Sequence, residues 1–208
     1  MSRTQQFRHR LLCSGIAVNP VIRLLICLMV LSGCATVAPA IDESLRQNAL
    51  DGNVRAQYEI GLKYDQAAHS GWGNMLYWDE AEVWFEMAAR QGDARAQYRL
   101  ASYYFSRRQD YSQSFRLNQL AAQQGLADAQ YSLGMHYGQA WGTEQNLVLA
   151  YKWIALANEG GMVGGSLADT EWLIWKGKMS ADQIAEGKRL AAEHTATYGK
   201  SQSIASME

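Results

Sequence analysis

Residues 129–138 read Ala-Gln-Tyr-Ser-Leu-Gly-Met-His-Tyr-Gly, and the first three residues of this stretch occur twice more in the chain. The other copies are Ala56-Gln57-Tyr58 and Ala96-Gln97-Tyr98, which separates the three by 40 and 33 residues. A second motif, Ala88-Ala89-Arg90-Gln91-Gly92, returns 33 residues later as Ala121-Ala122-Gln123-Gln124-Gly125. Two motifs that repeat in the same phase indicate an array of one structural unit.

Each unit contains two amphipathic helical patterns. Ala129, Leu133 and Tyr137 fall at i, i+4 and i+8, which places them on one helical stripe. A small residue follows the aliphatic position in every copy and indicates close approach of a neighbouring helix. The first-half stripes of the other copies are Ala56, Ile60, Tyr64 and Ala96, Leu100, Tyr104; the second-half stripes are Ala81, Trp84, Phe85, Ala88, then Ser114, Leu117, Asn118, Ala121, then Ala150, Trp153, Ile154, Ala157.

Glycines at Gly92, Gly125 and Gly161 are placed to end the second helices, because glycine readily takes the left-handed conformation. A unit of this kind cannot bury its apolar face alone, so neighbouring units must stack. The combined pattern resembles the Sel-1-like repeats, relatives of the tetratricopeptide repeats, over roughly residues 41–195. The resemblance implies an all-α, right-handed α-solenoid with about three repeats and terminal capping helices.

The boundaries that follow divide the chain into five parts. Residues 1–33 are predicted as a lipoprotein signal peptide, 34–40 as a lipidated tether, 41–165 as the solenoid, 166–196 as C-terminal capping helices and 197–208 as a flexible tail. Leu45 to Gly52 is interpreted as an N-terminal cap. Ser180 is expected to cap a last helix that packs through Ile184, Ala185, Leu190 and Ala191.

The copies differ in the turn between their two helices. The first copy has extra residues from Asp65 to Leu76, which predict a longer loop that contains Trp72. The second copy lacks a glycine-rich turn and has Ser106-Arg107-Arg108-Gln109-Asp110 instead, which predicts a tighter connection.

The N-terminal segment has the composition of an export signal. Four arginines and no acid lie in residues 1–33, and an apolar run over 24–31 is shorter than the about 20 residues that a spanning helix requires. The run ends at Leu31-Ser32-Gly33-Cys34, which resembles the bacterial lipobox and implies cleavage after Gly33 and acylation of Cys34. An ordinary secretory signal with a chance cysteine is the alternative. By the same resemblance, Ala35 favours the outer membrane.

Charge and cysteine content restrict the function classes. Removing the four arginines of the signal from 19 basic residues leaves 15, against 20 acidic residues, so the remaining chain is acidic and nucleic acid is not expected as a partner. Cys13 and Cys27 lie in the predicted signal, and no disulfide framework is expected in the mature chain.

No pattern of catalytic, metal-binding or cofactor-binding residues is present. His69, His136 and His194 do not form a zinc-ligand motif, and no phosphate loop or serine-nucleophile elbow occurs. Glu82 and Glu86, one helical turn apart, are interpreted as a solvated face, and no small-molecule substrate is expected.

Partner contact is therefore expected on the first helices and the turns. Trp72 and Trp141 lie beside turn glycines, where each either meets a partner or packs back on its own helix pair. The candidate partner-binding residues, taken as outward-facing on the first helices or exposed in the turns, are Trp72, Trp141, Gln57, Gln97, Arg99, Gln130 and His136.

These observations lead to a lipid-anchored protein–protein interaction module in the bacterial envelope, held by the lipid on Cys34 at the outer membrane and facing the periplasm. By resemblance, some relatives are immunity proteins that neutralise secreted phospholipase effectors, so the partner is either such an effector or an envelope complex. A β-lactamase-like hydrolase and a peptidoglycan-binding component are the remaining alternatives. The hydrolase lacks support because no Ser-x-x-Lys motif and no repeat disulfide are present.

Overall fold

The computed structural model describes residues 39–69, 75–160 and 175–199, and this part of the chain is helical without strands. The predicted signal, Cys34 and Trp72 lie outside these residues. Two π-helical turns follow helices directly, Tyr104–Arg108 and Thr195–Gly199. The α-helices are α1 (Glu43–Leu50), α2 (Val54–His69), α3 (Met75–Arg90), α4 (Ala94–Tyr103), α5 (Tyr111–Gln123), α6 (Ala127–Gln139), α7 (Leu147–Glu159) and α8 (Ala181–His194).

Each α-helix packs against the next one along the chain, which produces a stack of helix pairs. The pairs α2/α3, α4/α5 and α6/α7 are the three repeats, and α1 supplies the predicted N-terminal cap. This arrangement confirms the all-α solenoid. Of the described helices, none is both long enough and apolar enough to cross a bilayer.

The repeated apolar stripes form the core, as predicted. Ile60, Leu100 and Leu133 are all buried, and each contributes about 1.5–3 kcal/mol by removal from water. The tyrosines that end these stripes are half-buried. The second helices complete the core with Ala81, Phe85, Ala88, Ala121, Ala150, Ile154 and Ala157.

Small residues in the first helices permit close packing, which confirms the reason proposed for them. A Cβ atom on Gly61 would lie 2.7 Å from the Phe85 ring, and one on Gly134 would lie 2.6 Å from Ile154 Cγ1. In the second repeat Ala101 on α4 takes the place of the glycine, and Asn118 on α5 takes the place of Phe85 or Ile154. The residue on the first helix is therefore larger than in the other repeats, and the residue on the second helix is smaller.

Helix ends follow the sequence signals. Gly92 and Gly125 have φ values of +93° and +86°, which residues with a side chain rarely adopt. Gly161 lies outside the described residues. Asn53 and Asp93 accept hydrogen bonds at 2.9 Å from the backbone N–H of the third residue after them, which satisfies a donor at the start of α2 and α4.

The expectation of a long loop in the first repeat is wrong in its extent. Asp65 to His69 belong to α2, and α3 begins at Met75, so the additional residues lengthen both helices to 16 residues. The second repeat has the tighter turn that was expected. Only Gln109 and Asp110 separate its π-helical turn from α5, because Gln109 reverses the chain with φ of 53°.

The C-terminal helix α8 carries the predicted capping box between Ser180 and Gln183. Its buried positions are Gly187 and Ala191, whereas Ala185 is exposed, so the predicted apolar stripe is only partly correct. A Cβ on Gly187 would lie 2.9 Å from Tyr151, which shows how closely α8 approaches α7. The helical turn Thr195–Gly199 extends three residues into the predicted tail, and the rest of that tail, 200–208, lies outside the described residues.

Candidate partner-binding groove

The glutamines of the repeated tripeptide are structural, and the expectation that they face outward is wrong. Gln57, Gln97 and Gln130 are at most 5% exposed. Each side-chain Nε2 donates to a backbone carbonyl eight residues earlier, at distances of 3.0 to 3.3 Å. That carbonyl lies in the last turn of the preceding helix, where the helix itself leaves acceptors unsatisfied. The accepting carbonyls belong to Ala49, Ala89 and Ala122.

In two repeats the side-chain Oε1 of this glutamine also accepts a hydrogen bond. Gln91 donates to Gln57 Oε1 and Gln124 donates to Gln97 Oε1, both at 2.8 Å. In the third repeat Gly160 occupies the position that corresponds to Gln91, and it has no side chain to donate. Gln130 Oε1 is buried without a hydrogen-bond partner in the described part of the chain. The glutamine contacts therefore weaken toward the C-terminal end.

A cavity of about 520 Å³ opens between α2 and α4. We call it the arginine cavity. It is lined by Asp65, His69, Trp78, Arg99, Ser102, Tyr103, Ser106 and Arg107.

Aromatic rings and one buried carboxylate fix the walls of the arginine cavity. Tyr103 Oη donates to Asp65 Oδ1 at 2.7 Å, and the Tyr103 ring packs edge-on against Trp78 at 5.5 Å between ring centroids. Burial, together with the Asp65 carboxylate, raises the pKa of Tyr103. The hydroxyl consequently stays protonated and remains a donor to Asp65.

Two guanidinium groups reach the same cavity. Arg99 Nη1 lies 3.8 Å from Asp65 Oδ2, and the Arg107 guanidinium lies over the Trp78 ring at 5.1 Å from its centroid. His69 also packs edge-on against Trp78, with ring centroids 4.2 Å apart. Arg99, predicted as a contact residue, thus lines a cavity that also contains a second arginine.

A second cavity, of about 280 Å³, adjoins the first, because Ser102 and Ser106 line both. We call it the histidine cavity. Its other lining residues are Phe105, Ser114, Asn118, Ser132, Met135, His136 and Trp141. The arginine cavity and the histidine cavity together form what we call the first-helix groove, since residues of α2 and α4 line the first and residues of α4 and α6 line the second.

His136 is buried and holds the floor of the histidine cavity, so the expectation that it is an outward contact is wrong. Its Nδ1 lies 2.6 Å from the Trp141 carbonyl oxygen, which can only accept, so Nδ1 carries the proton. Its Nε2 therefore accepts, from Ser114 Oγ at 3.1 Å or Asn118 Nδ2 at 3.2 Å. Burial lowers the pKa of His136, which favours the neutral ring.

Trp141 packs against the preceding repeat and also lines the histidine cavity, so its contact with a partner stays a prediction. Its ring is half-buried and packs edge-on against Phe105 at 4.9 Å between centroids. The buried Oδ1 of Asn118 has no hydrogen-bond partner among the described residues. An occupant of this cavity would meet aromatic walls above a polar floor.

Sequence reasoning missed most of the groove. Ser114 and Asn118 replace the apolar residues of the other second-helix stripes, and this polarity was the available signal. Asp65 directly follows the stripe tyrosine Tyr64, where the other repeats have Phe105 and Gly138. Within the described residues, no cluster of His, Cys, Asp and Glu could hold a metal ion.

The fold is that of a helical-repeat solenoid, and the groove is a candidate binding surface along its first helices. The Sel1 repeat model matches residues 79–93, 94–126 and 127–162. The crystal structure of a Sel1 repeat protein from Oxalobacter formigenes is 34% identical, covers 64% of this chain and 96% of its own, and superposes with a TM-score of 0.51. The chain belongs to the Sel1 repeat family. No curated protein matches it.

A second solved structure supports the fold alone. A protective antigen present in uropathogenic Escherichia coli strains, which displays an SLR fold, is 23% identical with a TM-score of 0.57. The alignment covers 74% of this chain, which spans 40% of the length of that antigen. Sel1 repeat proteins generally bind other proteins, and their fold is typically a non-catalytic scaffold.

Proposed function

We propose that this chain is a lipid-anchored envelope protein whose first-helix groove binds an extended segment of a partner protein. The observation that carries the proposal is the pair of adjoining cavities that crosses from α2 to α6. A peptide segment can follow such a surface from repeat to repeat, and solenoids commonly bind partners along the surfaces that their stacked repeats create.

The chemistry of the groove favours a protein segment over an apolar small molecule. Arginine, tryptophan and tyrosine, which are enriched at binding hot spots, occur together in Arg99, Arg107, Trp78 and Tyr103. Ser102 and Ser106 line both cavities, and each hydroxyl donates its proton to a backbone carbonyl four residues earlier. Their oxygens can still accept a hydrogen bond from a peptide N–H group.

Site-specific photo-crosslinking in the producing cell tests the groove. A photoreactive amino acid at Ser102 or Ser106 should crosslink a partner, because both exposed residues line both cavities. The matched control positions are Val83 and Leu120, exposed residues on the second helices α3 and α5. Mass spectrometry of the adduct would distinguish an envelope complex from a secreted effector. Crosslinks from Val83 or Leu120 with none from the serines would contradict the proposal.

The anchor is a separate part of the proposal and rests on the lipobox-like residues that end at Cys34. Cys34→Ser should leave the signal uncleaved and remove the acyl chains, so mass spectrometry should detect no lipid. Cys27→Ser makes the same chemical change within the signal and should be processed normally. If normal cleavage occurs in Cys34→Ser, the chain is an ordinary secreted protein. Density-gradient separation of the two membranes tests the outer-membrane location suggested by Ala35.

A further inference from the structure

We infer that the arginine cavity binds a carboxylate of an acidic segment in the partner protein. The inference rests on the proposed function and names the chemistry that the partner must present. Its basis is the convergence of Arg99 and Arg107 on one cavity with an aromatic wall.

Both guanidinium groups have donors left to use. Arg99 is 3.8 Å from Asp65 and Arg107 is 3.9 Å from Asp79, which are ion-pair distances beyond hydrogen-bond length. Among the residues that the structure describes, neither arginine donates a hydrogen bond. By contrast, Arg108 beside them donates to both oxygens of Glu82, at 3.0 and 3.3 Å.

The two side chains are held but accessible. The Arg99 side chain is 43% and the Arg107 side chain 29% exposed, and the Arg107 guanidinium lies over the Trp78 ring. A guanidinium supported in this way loses less side-chain entropy on binding and presents its edge N–H groups to the cavity. Carboxylate oxygens fit that edge and form short, charge-assisted hydrogen bonds.

The charge of the cavity favours a single negative charge. Its lining has two arginines against one buried carboxylate, Asp65, so these three groups carry a formal net charge of +1. Asp79, which lies 3.9 Å from Arg107, is outside the lining and 62% exposed. One carboxylate neutralises that charge, whereas a phosphate with nearly two charges would exceed it and be repelled by Asp65. The rest of the mature chain is acidic, so this cavity is a local exception that can select an acidic segment.

Peptide selection on the full lipidated chain, purified in detergent, tests the inference. Peptides selected from a random phage-displayed library should be enriched in Asp or Glu, and replacing that acid with its amide should lower the affinity about 10-fold. Arg107→Gln should cause a similar loss, and Arg107→Lys a smaller one. Arg99→Gln provides a second variant, with thermal unfolding as a check on folding.

The control variant is Arg55→Gln, because Arg55 is in the first turn of α2 and pairs with exposed Glu59. Its affinity for the selected peptide should be unchanged. The carboxylate site would be overturned if the selected peptides bound Arg107→Gln and Arg99→Gln as tightly as the parent chain but lost affinity on substitution of Trp141. That result would leave the groove proposal intact. Failure to select any peptide would contradict both the peptide-binding groove and the carboxylate site. Tighter binding when phosphoserine replaces the acid would assign the cavity to phosphate and overturn the inference.

Discussion

At the scale of single residues, the buried glutamines show how one side chain can join three helices. Gln57 bonds to the end of α1 through its nitrogen and to Gln91 at the end of α3 through its oxygen. Gln97 repeats both contacts with Ala89 and Gln124. The glutamine of the tripeptide is therefore repeated because the packing of the helices requires it. A polar residue at this position does not indicate that its side chain is exposed.

Gln97→Ala should lower the free energy of unfolding by about 1–3 kcal/mol, because two hydrogen bonds are lost and a small cavity remains. Urea denaturation would measure the change. Gln123→Ala, at an exposed position of α5, should stay within about 0.5 kcal/mol of the parent chain. Equal effects of the two substitutions would contradict a structural role for Gln97.

His136 should make stability depend on pH. Its pKa is lowered in the fold by burial, so the unfolded chain takes up a proton first as the pH falls below about 6.5. The contribution of His136 to stability is then fully present well above that pH and decreases as the pH falls through it toward the lowered pKa of the folded state, with a slope of at most about 1.4 kcal/mol per pH unit from this group.

His136→Asn should be less stable at pH 7 yet show a flatter pH profile in urea denaturation. His194, whose pKa is also lowered by burial and by Lys152, contributes a second slope that His194→Gln would remove. If the free energy of unfolding of His136→Asn keeps the pH dependence of the parent chain, the buried neutral ring of His136 does not cause that dependence.

At the scale of elements, helix spacing is set by small residues that face large ones. The stripes of Ala, Leu and Tyr could be predicted because they depend only on helical periodicity. The extent of α2 and α3 could not, since no glycine or proline marks the end of α2 before residue 70. The groove was also beyond prediction, because Asp65, Arg99 and Tyr103 meet only after α2 and α4 stack.

Gly134→Ala should destabilise the third repeat although alanine favours helices. The added methyl group would lie 2.6 Å from Ile154 Cγ1 and 3.2 Å from the Ala150 carbonyl oxygen. Overpacking of this kind costs about 1–3 kcal/mol, which exceeds the about 0.5–1 kcal/mol gained in helix propensity. Gly177→Ala is the matched control and should be neutral or stabilising, because beyond the local backbone no atom of a described residue lies within 4 Å of the new methyl group. Thermal unfolding of both variants would decide.

At the scale of the whole molecule, the array is closed by α8. The helix buries Gly187 and Ala191, and Ala191 belongs to the same core cluster as Trp153 and Leu156. Terminal elements of this kind keep the last apolar face of a solenoid away from solvent.

A chain that ends at Met179 should therefore expose α7 and self-associate. Sedimentation velocity should detect concentration-dependent species that the full chain does not form, and the melting temperature should fall. Lys188→Val, at an exposed position of α8, should retain the parent behaviour, whereas Gly187→Val should resemble the truncation because of its clash with Tyr151. A truncated chain with unchanged melting and sedimentation would show that α8 does not close the array.

Because Gly160 replaces the glutamine that would bond to Gln130, local opening of the helix array should begin at one end. Local opening of a protein begins where the free energy needed to separate an element is smallest. The ends of α3 and α5 are each held by a hydrogen bond from Gln91 or Gln124 to a buried glutamine. Among the described residues the end of α7 has no such bond to Gln130, and the only side chain that accepts a hydrogen bond there is exposed Glu159, from Thr195 at 3.3 Å. Transient fraying should therefore start at the C-terminal end and spread inward. The backbone amide hydrogens of α7 and α8 should then exchange with solvent first. On that timescale the arginine cavity, between α2 and α4, should keep its shape.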